Sequence, residues 1–175
     1  MPKYFEEGEE KGIPIMITKK VSIYALFIAL STVGAALKIP SPLGSIALDS
    51  FPSLIASVLL GGIGGGIIAA IGHILSAYLA GFPLGPFHAI IGVEMFFLVF
   101  GYAWLYKKYS VYMASIVFTI ANSALLPLPF LFLINKSFYF MIIPSLFIAA
   151  ILNGLVSAVL LPRLKQLKGW RKQNQ

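Results

Sequence analysis

Six runs of apolar residues, separated by Gly/Pro turns or by paired basic residues, organise this chain. The first runs from Val21 to about Leu37 and is broken by Ser41-Pro42-Leu43-Gly44. The second begins near Ser50 and ends at Gly61-Gly62. The third extends from about Gly64 to Ala80, where Gly81-Phe82-Pro83-Leu84-Gly85-Pro86 closes it. The fourth spans Phe87 to Tyr106, the fifth about Ser110 to Ile134, and the sixth about Phe138 to Leu161. A helix needs about 20 mainly apolar residues, range about 17–25, to cross a bilayer. The second run is short and is expected to be tilted or shielded by its neighbours. The pattern predicts an all-α membrane protein, a bundle of six transmembrane helices over residues 19–162. A flexible cytoplasmic tail (1–18) precedes it and a basic cytoplasmic tail (163–175) follows.

Composition excludes a soluble domain. Apolar residues make up 59% of the chain and charged residues 11%, against about 25% charged in soluble domains. Cysteine is absent, so disulfides and thiolate metal sites are excluded. Four of the six acids lie in the N-terminal tail, and beyond residue 20 only Asp49 and Glu94 remain. The bases cluster as Lys19/Lys20, Lys107/Lys108 and Arg163 to Lys172. They punctuate apolar runs instead of covering a face, so the net charge of +7 reflects membrane topology and no nucleic-acid partner is expected. Basic residues favour the cytoplasmic side, and Lys38 and Lys136 are the only bases in the segments left outside. Both termini are therefore expected in the cytoplasm. Tyr102, Trp104, Tyr106, Tyr109 and Tyr112 suit an interfacial aromatic belt at the inner end of helices four and five. Helix one reads as a retained span, because mostly polar residues with four glutamates precede it in place of a basic leader.

Two motifs need weighing. Gly61-Gly62-Ile63-Gly64-Gly65-Gly66 imitates a phosphate loop, but no strand precedes it and no Lys-Ser/Thr follows. A tight turn that lets helices two and three approach closely is the expected reading. On helix one, Ala25 and Ala29 form a small-xxx-small pair on the face that also carries Ser22. Packing inside the bundle and docking of a separate membrane subunit both remain open for that face.

Polar side chains within spans are costly and face a cavity or partner. They are His73, Ser76 and Tyr78 on helix three, His88 and Glu94 on helix four, Asn122 on helix five and Asn153 on helix six, with Lys38 and Asp49 bracketing an outer loop. They converge on the outer half of the bundle beneath two Gly/Pro-containing loops, a place suited to a small-molecule pocket. Glu94 is read as meeting a ligand or pairing with His73 or His88. Asp49 is read as a helix cap or a ligand contact, since Leu48-Asp49-Ser50-Phe51-Pro52 resembles a helix start. Asn153 is read as an interhelical hydrogen-bonding group. His88 and Glu94 are six apart, about 120° from a common face, and so do not form a metal pair of the H-E-x-x-H kind. No catalytic arrangement, cofactor motif or metal motif is legible. A metal-dependent polytopic membrane enzyme, using the histidines and carboxylates, is the weaker alternative.

The helix pattern, Ala25-x-x-x-Ala29, Leu48-Asp49-Ser50-Phe51-Pro52, Gly72-His73-x-x-Ser76 and Gly81-Phe82-Pro83-Leu84-Gly85 resemble the S components of energy-coupling factor (ECF) vitamin transporters, over residues 20–162. The resemblance implies high-affinity capture of a vitamin or precursor from outside, with no cofactor. It implies docking through Ala25 and Ala29 onto a transmembrane coupling subunit served by two ATPases, and toppling of the S component to carry the ligand inward. The chain has no Walker A motif, so ATP hydrolysis is expected in those partners. Candidate substrate-binding residues are Lys38, Asp49, Phe51, His73, Ser76, Tyr78, Phe82, Phe87, His88, Glu94 and Asn122. Their aromatic rings and polar groups suit a flat heteroaromatic ring carrying a sugar or polyol. Within that family the chain resembles the α-ribazole subgroup, with riboflavin or another vitamin as the alternative.

The charge pattern makes a testable statement about topology. A cysteine replacing Lys108 should be labelled by an impermeant reagent only after the membrane is opened, and labelling in intact cells would refute the orientation.

Overall fold

A computed structural model describes residues 15–41 and 44–166, with side chains over 19–37 and 47–166. The chain folds as α1 (Ile15–Ala36), β1 (Lys38–Ser41), β2 (Gly44–Ala47), α2 (Phe51–Leu59), α3 (Gly62–Leu79), α4 (Phe87–Lys108), α5 (Val111–Ile120), a π-helical turn (Ala121–Leu125), α6 (Leu128–Leu133) and α7 (Lys136–Gln166). Taking α5 to α6 as one interrupted span, the described residues form the six helical segments expected. Five of them are long and apolar enough to cross a membrane. The sixth, α2, has nine residues, about 14 Å of helix, too short for a hydrocarbon core of about 30 Å. It contacts α1, α3, α4 and α7, and its residues Pro52 to Ser57 are buried.

Glycine makes that burial possible. Gly61 turns the chain with φ +94°, a conformation that L side chains resist, and α3 then returns alongside α2. A Cβ on Gly65 would collide with Ser57 of α2, and one on Gly66 would lie 2.8 Å from the Phe96 ring of α4. The glycine run is thus the close-approach turn expected of it. Leu54 and Ile55 of α2, Ala69 of α3, Met95 and Val99 of α4 and Phe118 of α5 meet in the core. Tyr102 belongs to that core and not to an aromatic belt. It is 1% exposed, its hydroxyl lies 3.3 Å from the Ser115 hydroxyl, and its ring meets Phe118 edge-on. Trp104, Tyr109 and Tyr112 are exposed as a belt requires.

Several boundaries differ from the sequence pattern. Helix α1 starts at Ile15, ahead of Val21, and carries Lys19 and Lys20. The remainder of the expected N-terminal tail lies outside the described residues. Helix α7 continues through Arg163 and Lys165 to Gln166. The fifth span is not one α-helix: the Leu126 amide donates to Ala121 across the π turn, and Pro127 follows. Pro127 and Pro129 have no amide hydrogen to continue the α-helical ladder, so the helix widens and restarts at Leu128. The segment after α1 is an antiparallel hairpin pairing Lys38 with Ala47 and Ile39 with Ile46. Pro40 masks the strand pattern, yet both strands of a two-stranded ribbon are edges, where proline is tolerated.

Asn153 of α7 joins these parts. Its Oδ1 accepts hydrogen bonds from the amides of Ser50 (3.0 Å) and Phe51 (2.7 Å), two donors that α2 cannot satisfy internally. Its Nδ2 donates to Ala47 O (2.9 Å) and Ala149 O (2.8 Å). Asn153→Leu should strip several buried groups of partners, each worth about 1–3 kcal/mol. A fall of roughly 10 °C or more in the detergent melting temperature is expected, and an unchanged melting temperature would contradict this role.

Candidate functional site

A cavity of about 380 Å³ lies where the start of α2, α3, α4, the interrupted fifth span and α7 converge, with Pro83 and Leu84 of the α3–α4 loop at its edge. Ile91, Met95, Leu126, Phe130, Phe138 and Ile142 supply apolar wall. Asp49, Ser50, His73, His88, Asn122 and Asn153 supply the polar positions. Among the described residues, no lysine or arginine lines it. Its volume is at the lower end of the range for small-molecule sites, about 300–1,000 Å³.

The loop geometry follows from how α3 ends. Gly81 (φ +78°) terminates the helix: its amide donates to Tyr78 O and the Phe82 amide to Ala77 O, the paired bonds of a Schellman cap. Phe82 then adopts φ +49°, a strained value for an aromatic residue, with its ring against Tyr78 and His88. Leu84 is thereby placed so that its amide donates to His88 Nε2 (3.3 Å).

That amide fixes the protons of both histidines. His88 Nε2 accepts from Leu84, so the ring carries its proton on Nδ1, which faces His73 Nε2 at 3.1 Å. His73 Nε2 must then accept, leaving both rings neutral and the His73 Nδ1–H as the pair's remaining donor. His88 is buried at 6% exposure.

Asp49 lies between β2 and α2. Its Oδ1 accepts from the Ser50 hydroxyl (3.0 Å) and its Oδ2 from the Ser76 hydroxyl (3.4 Å). The N-cap position of α2 is Ser50 and makes no side-chain cap bond, so Asp49 is not the cap. Asn153 takes that role from across the bundle. Burial raises the Asp49 carboxyl above its ordinary 3.8, and the hydroxyls of Ser50 and Ser76 and its own backbone amide partly offset this.

Of the residues singled out in the sequence, Asp49, His73, His88 and Asn122 line the cavity. Ser76 touches it through Asp49, Phe82 through the His88 ring, and Phe87 through Phe130, 5.9 Å between centroids. Phe51 packs against the core, and Tyr78 is 66% exposed. Glu94 is absent from the lining. It does not pair with either histidine: those two bond each other, and the buried Glu94 Oε2 has no hydrogen-bond partner among the described residues. The Lys38 side chain lies outside the described residues. Asn153, read from the sequence as an interhelical hydrogen-bonding group, also lines it, and Phe130, Phe138 and Met95 are lining residues that the polar pattern does not reveal. Pro127 and Pro129, which break the fifth span, were the available signal for Phe130. Asn122 is carried by the π turn, and no hydrogen bond among the described residues engages its side-chain amide. Among the described residues no cluster of three metal-ligating side chains exists.

A helical membrane bundle with one short hairpin, enclosing an apolar cavity with a polar edge, defines a membrane-embedded small-molecule-binding protein. A profile of the family described as "ECF transporter, substrate-specific component" matches residues 19–166. The chain belongs to this family, and is a transporter's substrate-specific component rather than an enzyme. One similar solved structure is described as "Structure and mechanism of the S component of a bacterial ECF transporter". It is 27% identical, covers 85% of this chain and 96% of its own, and superposes with a TM-score of 0.62. Among curated proteins, none matches the chain.

Asp49 gives a pH dependence with a defined sign. Its pKa is higher in the folded than in the unfolded chain, so its favourable contribution is complete below the unfolded value and is lost as pH rises through the folded one. Ligand-free protein should lose melting temperature over that rise more than Asp49→Asn does. Parallel pH profiles for the two proteins would contradict the burial of this carboxyl.

Proposed function

We propose that this chain is the high-affinity binding subunit for a compact, uncharged heteroaromatic vitamin precursor bearing a sugar or polyol, best matched by α-ribazole. The cavity carries the proposal: its wall is mainly apolar, its polar groups are gathered at one edge, and no basic side chain lines it among the described residues. An anionic ligand would find Asp49 and no counter-charge there. The Nδ1–H of His73 and the open amide of Asn122 instead offer hydrogen bonds to uncharged hydroxyls and ring nitrogens, and Phe130 and Phe138, 6.4 Å apart between centroids, offer faces and edges to an aromatic ring. Asp49 and Asn122 are assigned to hydroxyl recognition. His73 and His88 are assigned to a polar edge, and Ser76, Phe82 and Phe87 to supporting those contacts. Lys38, Phe51, Tyr78 and Glu94 remain candidates only for a ligand that reaches beyond this cavity. The modest volume favours α-ribazole over the bulkier riboflavin, which is the alternative.

Uptake would proceed by docking of helix α1 onto a transmembrane coupling subunit driven by two ATPase subunits. Ala25 and Ala29 are both exposed, as such a docking face requires, while α1 turns Ser31 and Ala35 into the bundle. Both termini are placed in the cytoplasm and the cavity in the outer half of the membrane, in keeping with the lysine distribution.

Mass spectrometry of small molecules released from purified protein tests the ligand class. A benzimidazole riboside is expected; a flavin would select the alternative, and a phosphorylated or anionic compound would overturn the reading. Asn122→Leu should weaken binding of the identified compound at least tenfold, about one hydrogen bond's worth, with little change in ligand-free melting temperature. Equal affinity in wild type and variant would remove Asn122 from the site.

A further inference from the structure

A second concavity, about 410 Å³, opens on the outer surface along the seam of α5 and α7, away from the cavity just described. Gly154 and Ala158 form its floor, and Ile116, Ile120, Phe147 and Leu155 flank it. Its polar atoms are turned inward: the Ser115 hydroxyl lies 3.3 Å from the Tyr102 hydroxyl and donates to Gly154 O at 3.4 Å. What remains outside is dry hydrocarbon surface.

Three observations define the occupant. From Phe147 to Ala158 the groove follows about 16 Å of helix, close to the depth of one leaflet's share of a hydrocarbon core of about 30 Å. At one end stands Tyr112, 71% exposed, a turn from Lys107 and Lys108 at the end of α4. About two turns beyond Ala158 and on the same face of α7 stands Lys165, whose ammonium lies over the Tyr106 ring of α4. An apolar slot of leaflet depth thus ends at an interfacial tyrosine and a cluster of cations. The slot is also remote from the proposed docking helix, since α1 packs on α2 and α3 whereas α5 packs on α4 and α7.

We infer that this groove is a binding site for an anionic phospholipid, one acyl chain lying along the α5–α7 seam and the headgroup meeting Lys107, Lys108 and Lys165. The inference rests on the membrane location of the bundle and is independent of the substrate assignment. Each basic side chain near a membrane anion contributes about fivefold in affinity, so headgroup charge and groove shape are separable.

The test is native mass spectrometry of the detergent-purified chain titrated with phosphatidylglycerol or with phosphatidylcholine of the same acyl chains. Phosphatidylglycerol should be retained at least tenfold more strongly. Ala158→Trp, which fills the floor, should abolish that retention, and Lys107→Gln combined with Lys108→Gln should reduce it at least tenfold. The double variant changes only exposed side chains and keeps the test decisive if Ala158→Trp does not fold. Ala29→Trp, on the other side of the bundle, should leave retention unchanged. Equal retention of the two lipids, or full retention in the lysine double variant, would overturn the proposal.

Discussion

Within an apolar bundle, backbone groups that leave a helix must be satisfied by protein, because hydrocarbon offers no hydrogen bonds. The start of α2 is where this constraint is most severe, since the helix begins deep among its neighbours with its first amides open. One carboxamide on another helix resolves it. Asn153 accepts from Ser50 and Phe51 and donates to Ala47 and to Ala149 of its own helix, using its full hydrogen-bonding capacity. The hairpin, the short helix and the long α7 are held at one point as a result, and the cavity forms beside it.

That arrangement explains how a small polar inventory is divided. Asn153 is consumed by structure, whereas the amide of Asn122 on the π turn is open toward the cavity. The two histidines are divided in a similar way: His88 is held by the Leu84 amide and His73, which leaves the Nδ1–H of His73 as the donor on offer. The α3–α4 loop takes part through its strained Phe82, whose ring covers His88. Backbone strain of this kind persists where surroundings over-determine it, and here two aromatic neighbours do so. On the proposed reading a ligand would meet a few open polar groups on an apolar frame, a preorganisation that favours tight binding.

The outer surface is equally differentiated. Exposed Ala25 and Ala29 make α1 a smooth face that another helix can approach closely. The α5–α7 seam is grooved and flanked by basic residues.

The membrane location, the helix count and the glycine turn were legible in the sequence because they rest on local properties: run length, hydropathy and the conformational freedom of Gly61. The family resemblance was legible in short segments such as Gly81-Phe82-Pro83-Leu84-Gly85, whose Schellman turn is itself a local structure. Asp49, His73, His88 and Asn122 could be singled out because polar groups in apolar spans require a reason. Tertiary structure alone decided which of them share a cavity, since their separation along the chain fixes neither rotation nor depth of the helices that carry them. It left Glu94 out of that lining, although a carboxylate within an apolar span had suggested a ligand contact or a histidine partner. It also gave the α2 cap to Asn153, more than 100 residues away, because an amide buried by long-range packing takes its partner from whatever helix the fold brings to it, and no local pattern encodes that choice.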